Sequence, residues 1–338
     1  MNRLKIFYLF LLLGFSLTAA ATEYLKLTPT AHKASFYPFG QVEIWDARVD
    51  TSIGFVQKGP VDVKYLVYTN QSLAADLTSL GQQVLTTAKK DTSARLLVYI
   101  RQFRIYEKTM GTSTNGYFVL EADCFLKQPD AVTKVYSVDT IYKTKSMDVT
   151  QQLYRLVNET MNDLLTTCAT APPTANSRNW TMDEIQRLSE IEKETIPIYR
   201  EKPKKGIYAT REAFISNTPL TTPVMVQKES KQPSVHYERA NGDKGYTYTK
   251  DFYAVGDGTN LFIKADDRLC PVFIENGDFH FIGPESLSGY KGYINPASTF
   301  VGDLAPPNYR FYEYIINPHN GRFIPVKRVN DPSKTTKP

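Results

Sequence analysis

Histidine and cysteine are scarce in this chain, with four of the first and three of the second among 338 residues. His32, His236, His280 and His319 show no metal-ligand spacing, and neither His-Glu-x-x-His nor Cys-x-x-Cys occurs, so neither a metal nor a cofactor is expected. Three cysteines cannot build a disulfide framework, since at most one pair can close. Cys124, in a predicted strand, and Cys168, at the end of a predicted helix in the same domain, are the best-placed pair, and their geometry would decide it. Cys270, just before Pro271, reads as a small buried residue. Charge of one sign is also lacking: 40 Lys and Arg face 35 Asp and Glu, a balance that argues against nucleic acid as a partner.

Catalytic signatures are missing too. After the first 21 residues there is no Gly-x-Ser-x-Gly elbow, and no glycine-rich phosphate loop follows a predicted strand. Asp257, Asp266 and Asp267 follow neither the spacing nor the ligand order of an EF-hand, and the adjacent pair reads as a solvated corner. Ser288-Gly289 after Glu285 reads as loop. His280, between Phe279 and Phe281 on a short strand, reads as a surface or half-buried ring. One enzymatic route stays open, two carboxylates facing across a cleft as in glycoside cleavage, but spacing selects no such pair.

What the chain does have begins at its start. Met1–Lys5 carries two positive charges, Ile6–Leu17 is apolar apart from Gly14 and Ser16, and Thr18–Ala21 offers small residues for a cut after Ala21. That three-part layout predicts a secretory signal peptide over 1–21, with an apolar run too short to span a bilayer. No cysteine lies at the cut, so lipid attachment there is excluded, and no later apolar run reaches membrane-spanning length. The expectation is an exported protein, periplasmic or secreted.

Elements follow from periodicity. Leu73, Leu77, Leu80, Val84 and Leu85 place one stripe along a helix over 72–89, with Gly81 inside it. Leu153, Leu156, Val157, Met161, Leu164 and Leu165 do the same over 148–167. Strands are expected at 41–47, 61–68, 94–108, 117–127 and 132–143, with a hairpin loop over 110–116. The mixed parity of Ile100, Phe103 and Ile105 predicts a bulge. The fold class is therefore α+β: a mixed sheet with two helices on one face over 23–168, then a mainly antiparallel β domain over 197–328. Residues 169–196 read as a linker with a short helix, and 329–338 as a disordered tail. In the second domain, Asn-Gly and Asp-Gly turns punctuate short strands, and one small helix is expected over 210–217.

Gly206-Ile-Tyr208, Thr210, Phe214, Asn217 and Pro219 resemble the Gly-[Ile/Val]-Tyr-x-Thr-x-x-x-Phe-x-x-Asn-x-Pro signature of uncharacterised exported bacterial proteins. Asp257-Gly258-Thr-Asn260 and Tyr314 to Phe323 resemble later segments of that family, so the likeness covers about 203–326. It implies a module and no reaction; Thr210 capping a helix and Asn217-Pro219 ending it are folding devices. The first half is similar in outline to small periplasmic lipoproteins that accompany envelope transport machines, of which the lipopolysaccharide-assembly partner is one example.

With 22 tyrosines and 18 phenylalanines, mostly in alternating stretches, the chain suits sheets whose aromatic faces bind. The function expected is a non-enzymatic binding or accessory protein of the bacterial cell envelope with a protein partner. The alternatives are a secreted carbohydrate-active hydrolase and a protein holding a small apolar ligand between sheet and helices; a glycan ligand also stays open. Tyr290 and Tyr293, flanked by Gly289 and Gly292, are the expected interface residues.

Overall fold

The computed structural model describes residues 22–29, 34–49, 52–58, 63–86, 88–110, 113–146, 149–171, 178–220, 223–228, 233–266, 268–285 and 311–330. The expected signal peptide, residues 331–338 of the expected tail, and Tyr290 with Tyr293 lie outside the described residues, while Val329 of that tail ends a strand. The fold is mixed α+β, and the chain forms two compact units, Met1–Asn179 and Trp180–Pro338.

In the first unit the sheet order is β1 (Thr22–Tyr24), β4 (Val63–Tyr68), β3 (Gly54–Lys58), β5 (Arg95–Met110), β6 (Ser113–Lys127) and β7 (Val132–Ser146), with β2 (Gln41–Asp46) also on β5. The sheet is mixed because β1 lies parallel to β4, while β2 and β3 lie parallel to β5 along successive parts of one edge. The expected bulge is present: the β5–β6 register shifts between Ile100 and Gln102. The hairpin differs from expectation. Pairing runs out to Met110 with Ser113, so Thr114 to Gly116 belong to β6.

Helices α1 (Leu73–Thr86) and α2 (Val149–Thr170) cover one face. All five stripe residues of α1 are buried, as are Leu153, Val157, Met161, Leu164 and Leu165 of α2. A Cβ on Gly81 would lie 2.8 Å from the Val42 side chain, so this glycine lets α1 sit close on β2 and is a packing device in a helix that otherwise disfavours it. The layer between helices and sheet is filled by the chain's own side chains, among them Phe103 against Phe118 with ring centroids 4.9 Å apart. Cys124 and Cys168 meet there. They are neighbours as the sequence suggested, but both are free thiols.

The second unit contains a sheet ordered β17 (Phe323–Val329), β16 (Phe311–Ile316), β15 (Asp278–Pro284), β14 (Arg268–Glu275), β13 (Leu261–Ala265), β12 (Ala254–Gly256) and β8 (Gly206–Tyr208). Each of these neighbouring pairs is antiparallel. A smaller sheet joins β9 (Val224–Lys228), β10 (Pro233–Glu238) and β11 (Lys244–Thr247). The segment expected to be a linker is part of this unit from Trp180 onward. It forms α3 (Met182–Gln186), capped by a Thr181–Glu184 box, and α4 (Leu188–Lys193), and Ile185 and Leu188 are fully buried. Two apolar side chains anchor it where a linker would stay solvated.

Candidate functional site

Register brings one row of side chains together on the face of the first sheet that the helices leave open. Thr22 pairs Leu66, Leu66 pairs Phe55, Phe55 pairs Tyr106, Tyr106 pairs Tyr117 and Tyr117 pairs Lys143. Directly paired residues share a face, and the alternate positions Val56, Val67, Ile105 and Phe118 point into the helix-covered core. Tyr106 and Tyr117 stack with centroids 4.8 Å apart, and Tyr24 lies 6.5 Å from Tyr68. Cations lie over the rings: Lys64 Nζ is 4.4 Å from the Phe55 centroid, and Arg104 and Lys143 stand 5.8 and 5.7 Å from Tyr106 and Tyr117. Toward the β1–β4 edge the surface is apolar and open, with Tyr24 56%, Tyr68 44% and Leu66 39% exposed. Ile141 is exposed on the same face over β7. Such a face can present rigid aromatic area with cationic relief, a composition common in protein interfaces.

Beside this row Asp123 is buried yet charged. Burial pushes its carboxyl up, but Arg101 at 2.6 Å, Lys134 and the Ser137 hydroxyl outweigh it and hold the group below its ordinary range. The cluster is closed on itself and fixes β5, β6 and β7 to one another.

In the second unit, three strands assemble a group that spacing along the chain does not show. Glu275 of β14, His280 of β15 and Glu313 of β16 offer ligand atoms within 4.8 Å of one another. His280 Nδ1 lies 2.8 Å from Glu313 Oε1, and Lys327 Nζ donates to Glu313 Oε2 at 3.0 Å. His280 is only 6% exposed, so the surface or half-buried ring expected from its neighbours is instead a buried, bonded one. An imidazole and two carboxylates are a donor set for a borderline divalent cation. Here, however, an ammonium already occupies one carboxylate and would repel a second cation. Burial raises the Glu313 carboxyl, while Lys327 and His280 lower it by more, and the net position is below the ordinary value. The group works as a charge-balanced tie between β15, β16 and β17.

The motif residues form a folding knot. Gly206 has φ 140°, and a Cβ there would meet the Leu220 carbonyl at 2.5 Å. The buried Tyr208 hydroxyl donates to Asn217 Oδ1 at 2.7 Å, and burial pushes its pKa up to about 12. Asn217, fully buried with φ 50°, also accepts from Lys204 N and donates to the Lys202 carbonyl. Thr210 caps α5 (Arg211–Ile215) by accepting from Ala213 N at 3.2 Å, and Phe214 packs between Tyr208, Tyr253 and Phe279. Pro219 lies against Gly206. Asp257 accepts from the Thr259 and Asn260 amides, and Gly258 supplies φ 93° to close that turn. All eight residues serve the local fold.

No protein-family model and no curated protein matches the chain. Among solved structures, protein XCC0632 from Xanthomonas campestris, of the DUF330 family, is 11% identical with a TM-score of 0.30, covering 43% of this chain and 91% of that one. An uncharacterised protein is 11% identical with a TM-score of 0.28, covering 44% and 97%. At these scores neither likeness carries an argument about function.

Proposed function

We propose that the chain is an exported, non-enzymatic binding or accessory protein of the bacterial cell envelope that docks a protein partner on the open face of its first sheet. The observation that carries this reading is the aromatic row ending in exposed Tyr24, Leu66 and Tyr68. A sheet face with rings aligned in register is pre-organised, so little side-chain entropy is lost when a partner covers it. The signal-like first 21 residues support export, and no helix among the described residues is long and apolar enough to cross a membrane.

A crosslinked pull-down of tagged full-length protein from its own envelope and medium tests the proposal. One or two envelope proteins at near-stoichiometric yield are expected. Leu66→Asp with Tyr68→Asp, both at exposed positions, should cut that yield by about tenfold or more while the thermal melt stays in place. Wild-type protein recovered as a free monomer without a partner would sink the reading and turn attention to glycan substrates.

A further inference from the structure

We propose that Cys124 and Cys168 form a disulfide in the mature protein, locking the last turn of α2 onto β6; the oxidising setting rests on the export reading above. Three observations on the fold carry this. Cys168 continues the α2 stripe of Leu153, Val157, Met161 and Leu165 toward the sheet, and Cys124 points from β6 into the same buried cluster. Helix and strand also run alongside each other with matched reach. At its start α2 sits on Gly116, where an added Cβ would lie 3.2 Å from Leu153 and 3.0 Å from Val149. From Gly116 to Cys124 the strand advances about 26 Å at roughly 3.3 Å per residue. From Leu153 to Cys168 the helix advances about 22 Å at roughly 1.5 Å per residue. The two ends therefore come within about 4 Å of each other along the strand, and the two thiols are hydrogen-bond partners.

Access favours Cys168 as the first to react. It lies in the final turn of a helix that ends at Thr170, and terminal turns open far more readily than a central strand. Burial and the neighbouring thiol push the Cys124 pKa up, so it is the poorer entering nucleophile. The oxidant is a disulfide-bearing thiol oxidase or a small disulfide such as oxidised glutathione. The Cys168 thiolate attacks that disulfide, releasing one of its sulfurs as a thiol and leaving a mixed disulfide. Cys124, as its thiolate, then displaces the second sulfur. Two S–H bonds are lost and one S–S bond forms here, while two electrons and two protons convert the oxidant to two thiols. Cys270 lies in the other unit and stays reduced.

The test uses full-length protein isolated from the envelope and medium, acid-quenched, denatured and alkylated before mass measurement. Expected are one alkyl group before reduction and three after, with a linked peptide pair containing Cys124 and Cys168. Three groups before reduction on protein whose first 21 residues have been removed would overturn the proposal. Protein found only with those residues retained inside the cell would instead count against export. In that case folded, purified protein is incubated with oxidised glutathione, and failure to link the two peptides overturns the pair itself. Reduction should lower the melting temperature of the oxidised wild type by about 5–10 °C and leave Cys124→Ala and Cys168→Ala unmoved. Equal shifts in all three would also overturn it.

Discussion

Asn217 concentrates more of the second unit's order than any neighbouring residue, because one side chain satisfies four partners while its own backbone sits at φ 50°. Asn217→Ala removes the bonds and strains the backbone, with an expected loss of about 2–4 kcal/mol in urea unfolding. Tyr208→Phe deletes a single hydroxyl and should cost about 1 kcal/mol. The reverse holds for Tyr154, whose buried hydroxyl has no hydrogen-bond partner among the described residues. Tyr154→Phe should leave stability within about 0.5 kcal/mol of wild type or raise it. Glu313 gives a pH signature. Its folded pKa lies below the unfolded value of about 4.3, so its contribution is full above that value and disappears as pH falls through the folded pKa. Wild-type stability should fall steeply below about pH 4. Glu313→Gln, weaker by about 2 kcal/mol at pH 7, should fall less over the same window.

At the scale of elements, helix α1 was legible because its apolar offsets are local, and the β5 bulge because parity breaks within a single strand. The Thr210 cap and the Asp257-Gly258 turn were legible for the same reason. The hairpin's length is not legible because Gly116 and Asn115 are usual in turns; here pairing with Glu107 and Lys108 extends the strand through them. The Glu275–His280–Glu313 group and the aromatic row were illegible, since both exist only once strand register is set. Gly81 shows how packing reverses a propensity argument. On an isolated helix Gly81→Ala would gain about 1 kcal/mol. In this protein the added methyl meets Val42, and a net loss of about 1–3 kcal/mol is expected. Val42→Ala removes the two Cγ atoms at 2.9 Å but leaves Cβ at 2.8 Å, so the double variant should recover only part of the loss, which a double-mutant cycle in urea would measure.

Across the whole molecule, the described residues of the first unit share one core spanning both helices and the sheet, while the second unit has a core centred on Phe214, Phe281 and Tyr314 and a smaller one around Ile207, Val224 and Val255. Calorimetry should resolve two transitions rather than one. Phe103→Ala should lower the transition of the first unit alone and Phe281→Ala that of the second, each by about 3–5 kcal/mol of unit stability. A single cooperative peak moved by both variants would show the cores to be energetically one. Two helical asparagines of the first unit close part of its opening segment late. Asn158 accepts from the Thr28 amide at 2.6 Å and donates to the Lys26 carbonyl, and Asn162 donates to the Thr28 carbonyl. The opening segment is thus held by side chains more than 125 positions later in the chain. A ribosome adding roughly 5–20 residues per second needs about 7–26 s to reach them. β1 meets its strand partner β4 much earlier, but through that interval the stretch from Lys26 to Thr28 lacks these bonds and remains available to whatever carries nascent chains.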